Sequence, residues 1–134
     1  MILVDTGPLV ALLSKDDEHH RRCRAVFRGL REPPLTVWPV LTEAMHLLRD
    51  RWGGQDRLFG LVEVGSVEIA PLGPGDLSRM RYLMQKYHDL PMDFADAALV
   101  AVAEREGITR VFTLDRRDFE VYRPAKIGRF SLVP

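Results

Sequence analysis

Residues 2–13 read Ile2-Leu3-Val4-Asp5-Thr6-Gly7-Pro8-Leu9-Val10-Ala11-Leu12-Leu13, an apolar run, a polar turn and a second apolar run. The run before Asp5 predicts a short buried strand, and the polar turn ends it. The apolar residues from Leu9 onward predict a helix. A strand that leads directly into a helix is the unit from which parallel sheets are built.

The same alternation continues along the chain, without repeats, low-complexity tracts or linkers. Further strands are predicted at residues 35–38, 67–70, 110–114 and 130–133. Further helices are predicted at residues 16–30, 40–51, 55–64, 74–88 and 92–106. We therefore expect a single domain over residues 1–134 with an α/β fold. Helices should cover both faces of a central, mostly parallel sheet, which makes a three-layer α/β/α sandwich.

The composition is that of a folded domain without a strong charge bias. Of 134 residues, 46% are hydrophobic and 28% are charged. The 19 Lys and Arg residues balance 19 Asp and Glu residues. A net charge of zero excludes a strongly basic protein that coats DNA, and it still allows a nucleic-acid enzyme with a local basic surface.

The single cysteine and the apolar runs bear on the cellular setting. Cys23 has no partner for an internal disulfide, so a reducing, cytoplasmic setting is expected. No signal peptide is expected, because no basic segment precedes the first apolar run. No membrane contact is expected either, since the longest apolar run, residues 97–103, is far shorter than the ~20 residues of a spanning helix.

Two acids stand where predicted strands end. Asp5 ends the first strand, and Asp115 follows the strand predicted at residues 110–114. Ligands of open α/β sheets bind beyond the carboxyl ends of the strands, so both acids should lie at one edge of the sheet. Each of them is also compatible with an ordinary turn or a helix N-cap.

Other acids interrupt apolar helices. Asp96 lies in a run of small apolar residues, and a buried, unpaired carboxylate costs several kcal/mol. It should therefore be paired, hydrogen-bonded or bound to a metal. Asp93 precedes it by one turn on the same side, either as a second ligand or as an N-cap. Glu43 lies in a helix that is apolar on nearly every side, unless it shares a polar stripe with Thr42 and His46.

Carboxylates that converge on one edge suit a hard divalent cation, Mg²⁺ or Mn²⁺. Zinc prefers His and Cys, and the best candidate pair, His19 with Cys23, lacks further ligands at matching spacing. The chain has no P-loop, no dinucleotide-binding glycine motif and no serine in a nucleophile-elbow context. Nothing in the sequence therefore supports a covalent mechanism through Ser or Cys.

Four blocks, in this order, resemble the motifs of PIN-domain ribonucleases: residues 2–13, 40–44, 92–97 and 112–119. The small single-domain form is similar to the VapC-type toxins of toxin–antitoxin operons. The resemblance implies a PIN-like fold and metal-dependent cleavage of single-stranded or looped RNA, with 5′-phosphate and 3′-hydroxyl products. It also implies an antitoxin protein as partner and a homodimer.

Position by position, the resemblance also implies roles for individual residues. The implied catalytic residues are Asp5, Glu43, Asp96 and Asp115. The expected metal ligands are Asp5, Asp93, Asp96 and Asp115, although for Asp93 the resemblance leaves open both a ligand and an N-cap. Asp118 lies in the same block as Asp115 and competes for the fourth position. Thr6 and Thr113 match hydroxyl positions that orient carboxylates or water. Within this reading, Glu43 orients or deprotonates the attacking water.

An acidic site that cleaves RNA needs basic groups around it. Arg116 and Arg117 are the nearest in sequence to Asp115, and the arginines of residues 21–31 are a second candidate or an ordinary solvated helix face. Three aromatic residues have two open interpretations. Trp38, Trp52 and Phe59 could line a groove for a partner helix, but we expect them in the core.

The alternative class is a non-catalytic metal-binding module for signalling or protein interaction. A receiver-like domain needs an acceptor Asp at a mid-chain strand end, and the strands at residues 35–38 and 67–70 end without one. A haloacid-dehalogenase-type phosphatase needs a second Asp two residues after Asp5, where Gly7 stands. An inactive PIN scaffold stays open at this point.

Overall fold

The computed structural model describes residues 1–134 and contains five strands and seven helices. The strands are β1 (Leu3–Val4), β2 (Leu35–Thr36), β3 (Glu68–Ile69), β4 (Arg110–Phe112) and β5 (Ser131–Val133). The helices are α1 (Thr6–Leu13), α2 (His20–Gly29), α3 (Trp38–Leu47), α4 (Gly54–Glu63), α5 (Leu77–Lys86), α6 (Phe94–Glu106) and α7 (Arg116–Phe119). A short 3₁₀ turn, Pro74–Asp76, leads into α5.

All five strands belong to one parallel sheet in the order β3-β2-β1-β4-β5. The first strand lies at the centre, where Leu3 pairs with Leu35 on one side and Val111 on the other. Leu3 and Val4 point to opposite faces of the sheet and are both almost completely buried, so helices cover both faces. The predicted α/β class with a central parallel sheet is confirmed.

Helix α6 crosses the interior, as its run of small apolar residues predicts. Every residue from Ala95 to Ala103 is buried. The helix ends at Gly107, whose φ of 68° lies in the left-handed region where glycine is favoured. Asp96 therefore lies in the first turn of a helix that is otherwise packed into the core.

The boundaries differ from the prediction in two instructive places. Helix α2 begins at His20 rather than at residue 16, because the preceding residues form turns in which Asp17 accepts a 2.8 Å hydrogen bond from the backbone of His19. The one-turn helix α7 was not predicted, since its four residues carry no apolar periodicity. No helix in the fold has the length and apolar character needed to cross a bilayer.

Candidate metal centre

Asp5 is anchored at the carboxyl end of the central strand. Its backbone N–H donates to Phe112 O at 2.9 Å, which continues the sheet by one residue. Its Oδ1 accepts a 2.8 Å hydrogen bond from the backbone of Thr6, and its Oδ2 accepts a 2.9 Å hydrogen bond from Thr113 Oγ1. Burial raises the pKa of Asp5 to about 6, although both hydrogen bonds oppose the rise.

Asp96 is fixed in the first turn of α6 from two sides. Its backbone N–H donates to Asp93 Oδ1 at 2.8 Å, which makes Asp93 the N-cap of the helix. Its own Oδ2 accepts a 2.7 Å hydrogen bond from the buried hydroxyl of Tyr122. Burial raises the pKa of Asp96 to about 8, and the charges of Asp5, Asp93 and Asp115 act in the same direction. These neighbours show that α6 brings Asp96 close to the strand ends.

Glu43 approaches the same place from α3. Its Oε2 accepts a 2.9 Å hydrogen bond from Thr6 Oγ1, so Thr6 joins the start of α1 to the acid on α3. Partial burial raises the pKa of Glu43, and the neighbouring Asp93 carboxylate raises it further. Glu43 is half-buried, while Thr42 and His46 beside it are exposed. Helix α3 is thus amphipathic rather than buried on most faces, and Glu43 lies at the border between its two sides.

Asp115 and Asp118 complete the group beyond β4. The backbone N–H of Asp115 donates to Thr113 Oγ1 at 3.0 Å, so Thr113 contacts two of the acids. Carboxylate oxygens of Asp96, Asp115 and Asp118 lie within 4.8 Å of one another. Burial raises the pKa of Asp118, and the charge of Asp115 adds to this. Asp118, which the sequence left in competition with Asp115, is therefore brought to the same place.

The donor set suits a hard divalent cation. Three of its acids, Asp96, Asp115 and Asp118, have oxygens within 4.8 Å of one another, and three more lie near enough for the charges to act on one another. None of these six carboxylates forms a salt bridge with Lys, Arg or His. They are Asp5, Glu43, Asp93, Asp96, Asp115 and Asp118. Several of these acids raise one another's pKa, which is the signature of uncompensated negative charge. Oxygen-only ligands fit Mg²⁺ or Mn²⁺ rather than zinc.

The two arginines nearest to the acids are not equivalent. Arg116 donates a 2.7 Å hydrogen bond to the backbone oxygen of Pro134 and lies 3.5 Å from Glu120. Arg117 is exposed, forms no ion pair, and its charge acts on Asp118. Of the second basic stretch, Arg31 lines a cavity with residues at the amino ends of β1 and β4, at the opposite edge of the sheet from the carboxylates.

The expectation that three aromatic side chains lie in the core is wrong. Trp38 is 61% exposed, Phe59 is 59% exposed and Trp52 is 98% exposed. Trp38 and Phe59 line an apolar groove of 290 Å³ between α3 and α4. Met45 and Val62 form its floor and sides with them. Trp38 and Phe59 lie on α3 and α4, and the apolar pattern of a helix does not tell a face that meets the core from one that meets solvent. Trp52 lies in the turn between these helices.

Comparison with known proteins identifies the family. The sequence profile of the PIN domain matches residues 2–124. The chain belongs to the PIN-domain family. This PIN domain is 29% identical to Ribonuclease VapC26 of Mycobacterium tuberculosis, over 99% of this chain and 100% of that protein. The predicted family is thereby confirmed.

Two solved structures share the fold of this PIN domain. The crystal structure of VapC20 from Mycobacterium tuberculosis, a Sarcin-Ricin loop cleaving toxin, superposes with a TM-score of 0.79 at 20% identity. That match covers 87% of this chain and 91% of the other. A toxin–antitoxin complex from Klebsiella pneumoniae superposes with a TM-score of 0.72 at 16% identity, covering 100% of this chain and 97% of the other.

Sequence reasoning did not find Tyr122. Its hydroxyl contacts Asp96 across 26 positions of sequence, and Tyr122 lies after α7 outside any predicted element. The one signal in the sequence is that Tyr122 follows Phe119, the aromatic residue that ends the fourth PIN motif block. In the structure the two rings pack edge-on, with centroids 5.2 Å apart. That pattern indicates a core contact and does not indicate a carboxylate partner.

Proposed function

We propose that this PIN domain, as a single domain over residues 1–134, is a Mg²⁺- or Mn²⁺-dependent endoribonuclease and the toxin of a VapBC-type pair. The observation that carries the proposal is the group of six carboxylates, none of them in a salt bridge, at the carboxyl edge of the sheet. The kinship with Ribonuclease VapC26 and the fold of VapC20 support RNA as the substrate class. The reducing cytoplasm expected from the lone Cys23 is where such a substrate is found.

The acids divide into ligands and a base. Asp5, Asp93, Asp96 and Asp115 would hold the cation, and Asp118 joins them by its position. When bound, the cation supplies positive charge that stabilises the developing negative charge on the phosphate and its leaving oxygen. Thr6 and Thr113 hold Glu43 and Asp5 in place through their hydroxyl groups.

Glu43 is the residue suited to accept a proton. Partial burial and the Asp93 carboxylate raise the pKa of Glu43, which brings this pKa closer to neutral pH and makes Glu43 a better base. A water molecule attacks the phosphorus atom and gives its proton to Glu43 as the bond from phosphorus to the 3′ oxygen breaks. The leaving 3′ oxygen takes a proton from a second, solvent water molecule, so the products carry a 5′-phosphate and a 3′-hydroxyl group.

Basic side chains would hold the RNA backbone near this acidic group. Arg117 is the better placed of the two adjacent arginines, because Arg116 is engaged by Pro134 and Glu120. A free guanidinium binds a phosphate in a planar, two-pronged arrangement. Arg117 therefore takes the backbone contact, and Arg116 contributes mainly through its charge.

An antitoxin partner belongs to the proposal. The similar structure from Klebsiella pneumoniae is that of a toxin–antitoxin complex. The groove of this chain between α3 and α4 exposes Trp38 and Phe59 to solvent, and such a patch suits the apolar face of a partner helix. We also propose that the chain forms a homodimer. Light scattering of the purified chain should then give twice the mass of one chain.

The decisive experiment is RNA cleavage by the purified chain with Mg²⁺, with Mn²⁺ and with EDTA. Cleavage with either ion, and none with EDTA, is expected. Asp96→Asn should abolish cleavage, whereas Asp89→Asn should not, because Asp89 has a 92% exposed side chain paired only with His88. An unmodified chain that binds Mg²⁺ and cleaves no RNA would be an inactive PIN scaffold, and cleavage that survives Asp96→Asn would overturn the assigned site.

A further inference from the structure

A cavity of 460 Å³ opens beside the acids, on the side of α3 and α6. Its walls include Glu43 and Asp93 from the acidic group, and the rings of Trp38 and Phe94. This volume is in the range of sites that take small organic groups, ~300–1,000 Å³. The cavity thus combines an aromatic surface with an edge of the candidate metal centre.

The rings of Trp38 and Phe94 are exposed at equivalent positions of two helices. Trp38 is the first residue of α3 and Phe94 is the first residue of α6, so each ring projects from the amino end of a helix. Trp38 is 61% exposed and Phe94 is 50% exposed. The carbonyl oxygen of Trp38 accepts a 3.1 Å hydrogen bond from Thr42 Oγ1, which holds this end of α3. The backbones that carry the rings are therefore fixed, while the ring faces are open.

We propose that this cavity binds an unstacked nucleobase of the RNA substrate, next to the phosphate that is cleaved. The proposal rests on the proposed ribonuclease function and specifies how the substrate is held. Every nucleobase offers a flat π face, and exposed aromatic side chains bind single-stranded nucleic acid by stacking on such faces. Stacking on the ring of Trp38 or Phe94 is more favourable for the base than contact with water.

The negative charge of the cavity favours a nucleobase as its occupant over the phosphate backbone of the RNA. Glu43 and Asp93 form its polar wall, and no basic side chain lines it. These carboxylates repel a phosphate group, whereas a neutral base carries no charge to be repelled. Since the phosphate must lie at the neighbouring acids for cleavage, the base attached to the same nucleotide or to the next one reaches the cavity.

Stacking gives a physical reason for the single-stranded or looped RNA substrate that the family resemblance implies. A base inside a duplex is already stacked on both faces and cannot reach a side-chain ring without leaving the helix. A single strand or a loop presents its bases at a lower cost. The cavity therefore favours single-stranded and looped RNA through shape and stacking.

The test uses the fact that the chain has only two tryptophans, Trp38 and Trp52. Trp52→Phe leaves Trp38 as the sole tryptophan emitter, and Trp38→Phe leaves Trp52, which is 98% exposed and outside the cavity. Both are made in the Asp96→Asn background, with Mg²⁺ present, and titrated with a single-stranded oligoribonucleotide. Binding is followed independently by the anisotropy of a label on the RNA.

Quenching of Trp38 emission that saturates together with the anisotropy is expected, with no such quenching of Trp52. Trp38→Ala and Phe94→Leu should each weaken binding about tenfold, and Trp38→Phe, which keeps a ring, should weaken it less. Trp38 emission that is unchanged at saturating RNA, or no RNA binding at all, overturns the proposal. Trp38 emission that changes with protein concentration before RNA is added, and that RNA then leaves unchanged, indicates a second copy of the chain at Trp38 and also overturns it.

Cleavage by the Trp52→Phe chain with Asp96 intact separates this proposal from the proposed function. Cleavage of RNA without quenching of Trp38 in the titration contradicts only the base site. Quenching without any cleavage contradicts the ribonuclease function and leaves a single-stranded RNA-binding site. Because Trp38 is largely exposed, Trp38→Phe tests the proposal even where Trp38→Ala lowers the stability of α3.

Discussion

The hydroxyl group of Tyr122 donates a hydrogen bond of 2.7 Å to Oδ2 of Asp96. Tyr122 is completely buried and packs edge-on against Tyr87 and Phe119, with ring centroids 5.1 and 5.2 Å away. Tyr122 therefore brings one hydrogen-bond donor from the hydrophobic core to Asp96, one of the candidate metal ligands. This contact holds the carboxylate in one orientation while its other neighbours, including Asp5, are negatively charged.

Tyr122→Phe should lower both stability and activity. The change removes the donor and leaves a buried carboxyl oxygen without it, which costs about 1–3 kcal/mol of unfolding free energy. With Asp96 free to rotate, Mg²⁺ affinity measured by calorimetry and the rate of RNA cleavage should both fall severalfold. The half-exposed Tyr82 provides the matched control, since Tyr82→Phe should change neither quantity. Unchanged Mg²⁺ affinity in Tyr122→Phe would show that the contact serves packing alone.

Without a metal, the protein should lose stability between pH 5 and pH 8. The pKa of Asp96 is raised from 3.8 to about 8 and that of Asp5 to about 6, so the folded state binds more protons than the unfolded state in this range. The unfolding free energy in EDTA should therefore fall as the pH rises, by up to about 1.4 kcal/mol per pH unit for each extra proton. Urea unfolding at four pH values measures the slope.

Added Mg²⁺ should oppose this loss, because the cation favours the ionised carboxylates. The stabilisation by Mg²⁺ should be larger at pH 8 than at pH 5. Asp96→Asn removes the group whose pKa is raised to about 8 and should make the slope in EDTA less steep. Stability that increases from pH 5 to pH 8 in EDTA is the result that contradicts the raised pKa values.

Asp118→Asn should weaken metal binding. Its carboxylate lies with those of Asp96 and Asp115 within 4.8 Å, so it adds to the negative charge that attracts the cation. We expect a loss of about tenfold or more in Mg²⁺ affinity by calorimetry, with a smaller loss for the exposed Asp16→Asn. If Asp118→Asn binds Mg²⁺ as the unmodified chain does, the metal centre ends at Asp115.

Arg117→Ala should weaken RNA binding more than Arg116→Ala. Arg117 has no ion pair, whereas Arg116 already contacts Pro134 and Glu120. Loss of one phosphate contact should reduce the slope of log affinity against log salt concentration by about one. Titrations at several salt concentrations in the Asp96→Asn background measure this slope. Equal effects of the two substitutions would place the backbone contact elsewhere.

The positions of several acids were predictable from local pattern alone. Asp5 follows a buried strand, and in a parallel sheet this places it at the ligand-binding edge. Asp96 interrupts a run of small apolar residues, so its burial follows from the pattern around it. Both inferences need only the neighbours of each residue along the chain.

Other features depend on contacts between distant segments and carry no local signal. Tyr122 reaches Asp96 because the chain after α7 folds back onto α6. Trp38 and Phe59 belong to apolar faces, but their exposure is decided by what packs on those faces. The short helix α7 is stabilised by Asp115 as its cap, and the same acid reads equally well as a turn residue.

Trp38 lines two concavities at once, the cavity beside Glu43 and the groove between α3 and α4. A protein helix seated in the groove would contact the same indole that a nucleobase uses from the other side. In the proposed complex, an antitoxin helix in the groove would therefore compete with the proposed nucleobase for Trp38 without touching the six carboxylates of the candidate metal centre. If both proposals hold, a substitution at position 38 that weakens antitoxin binding would also weaken RNA binding.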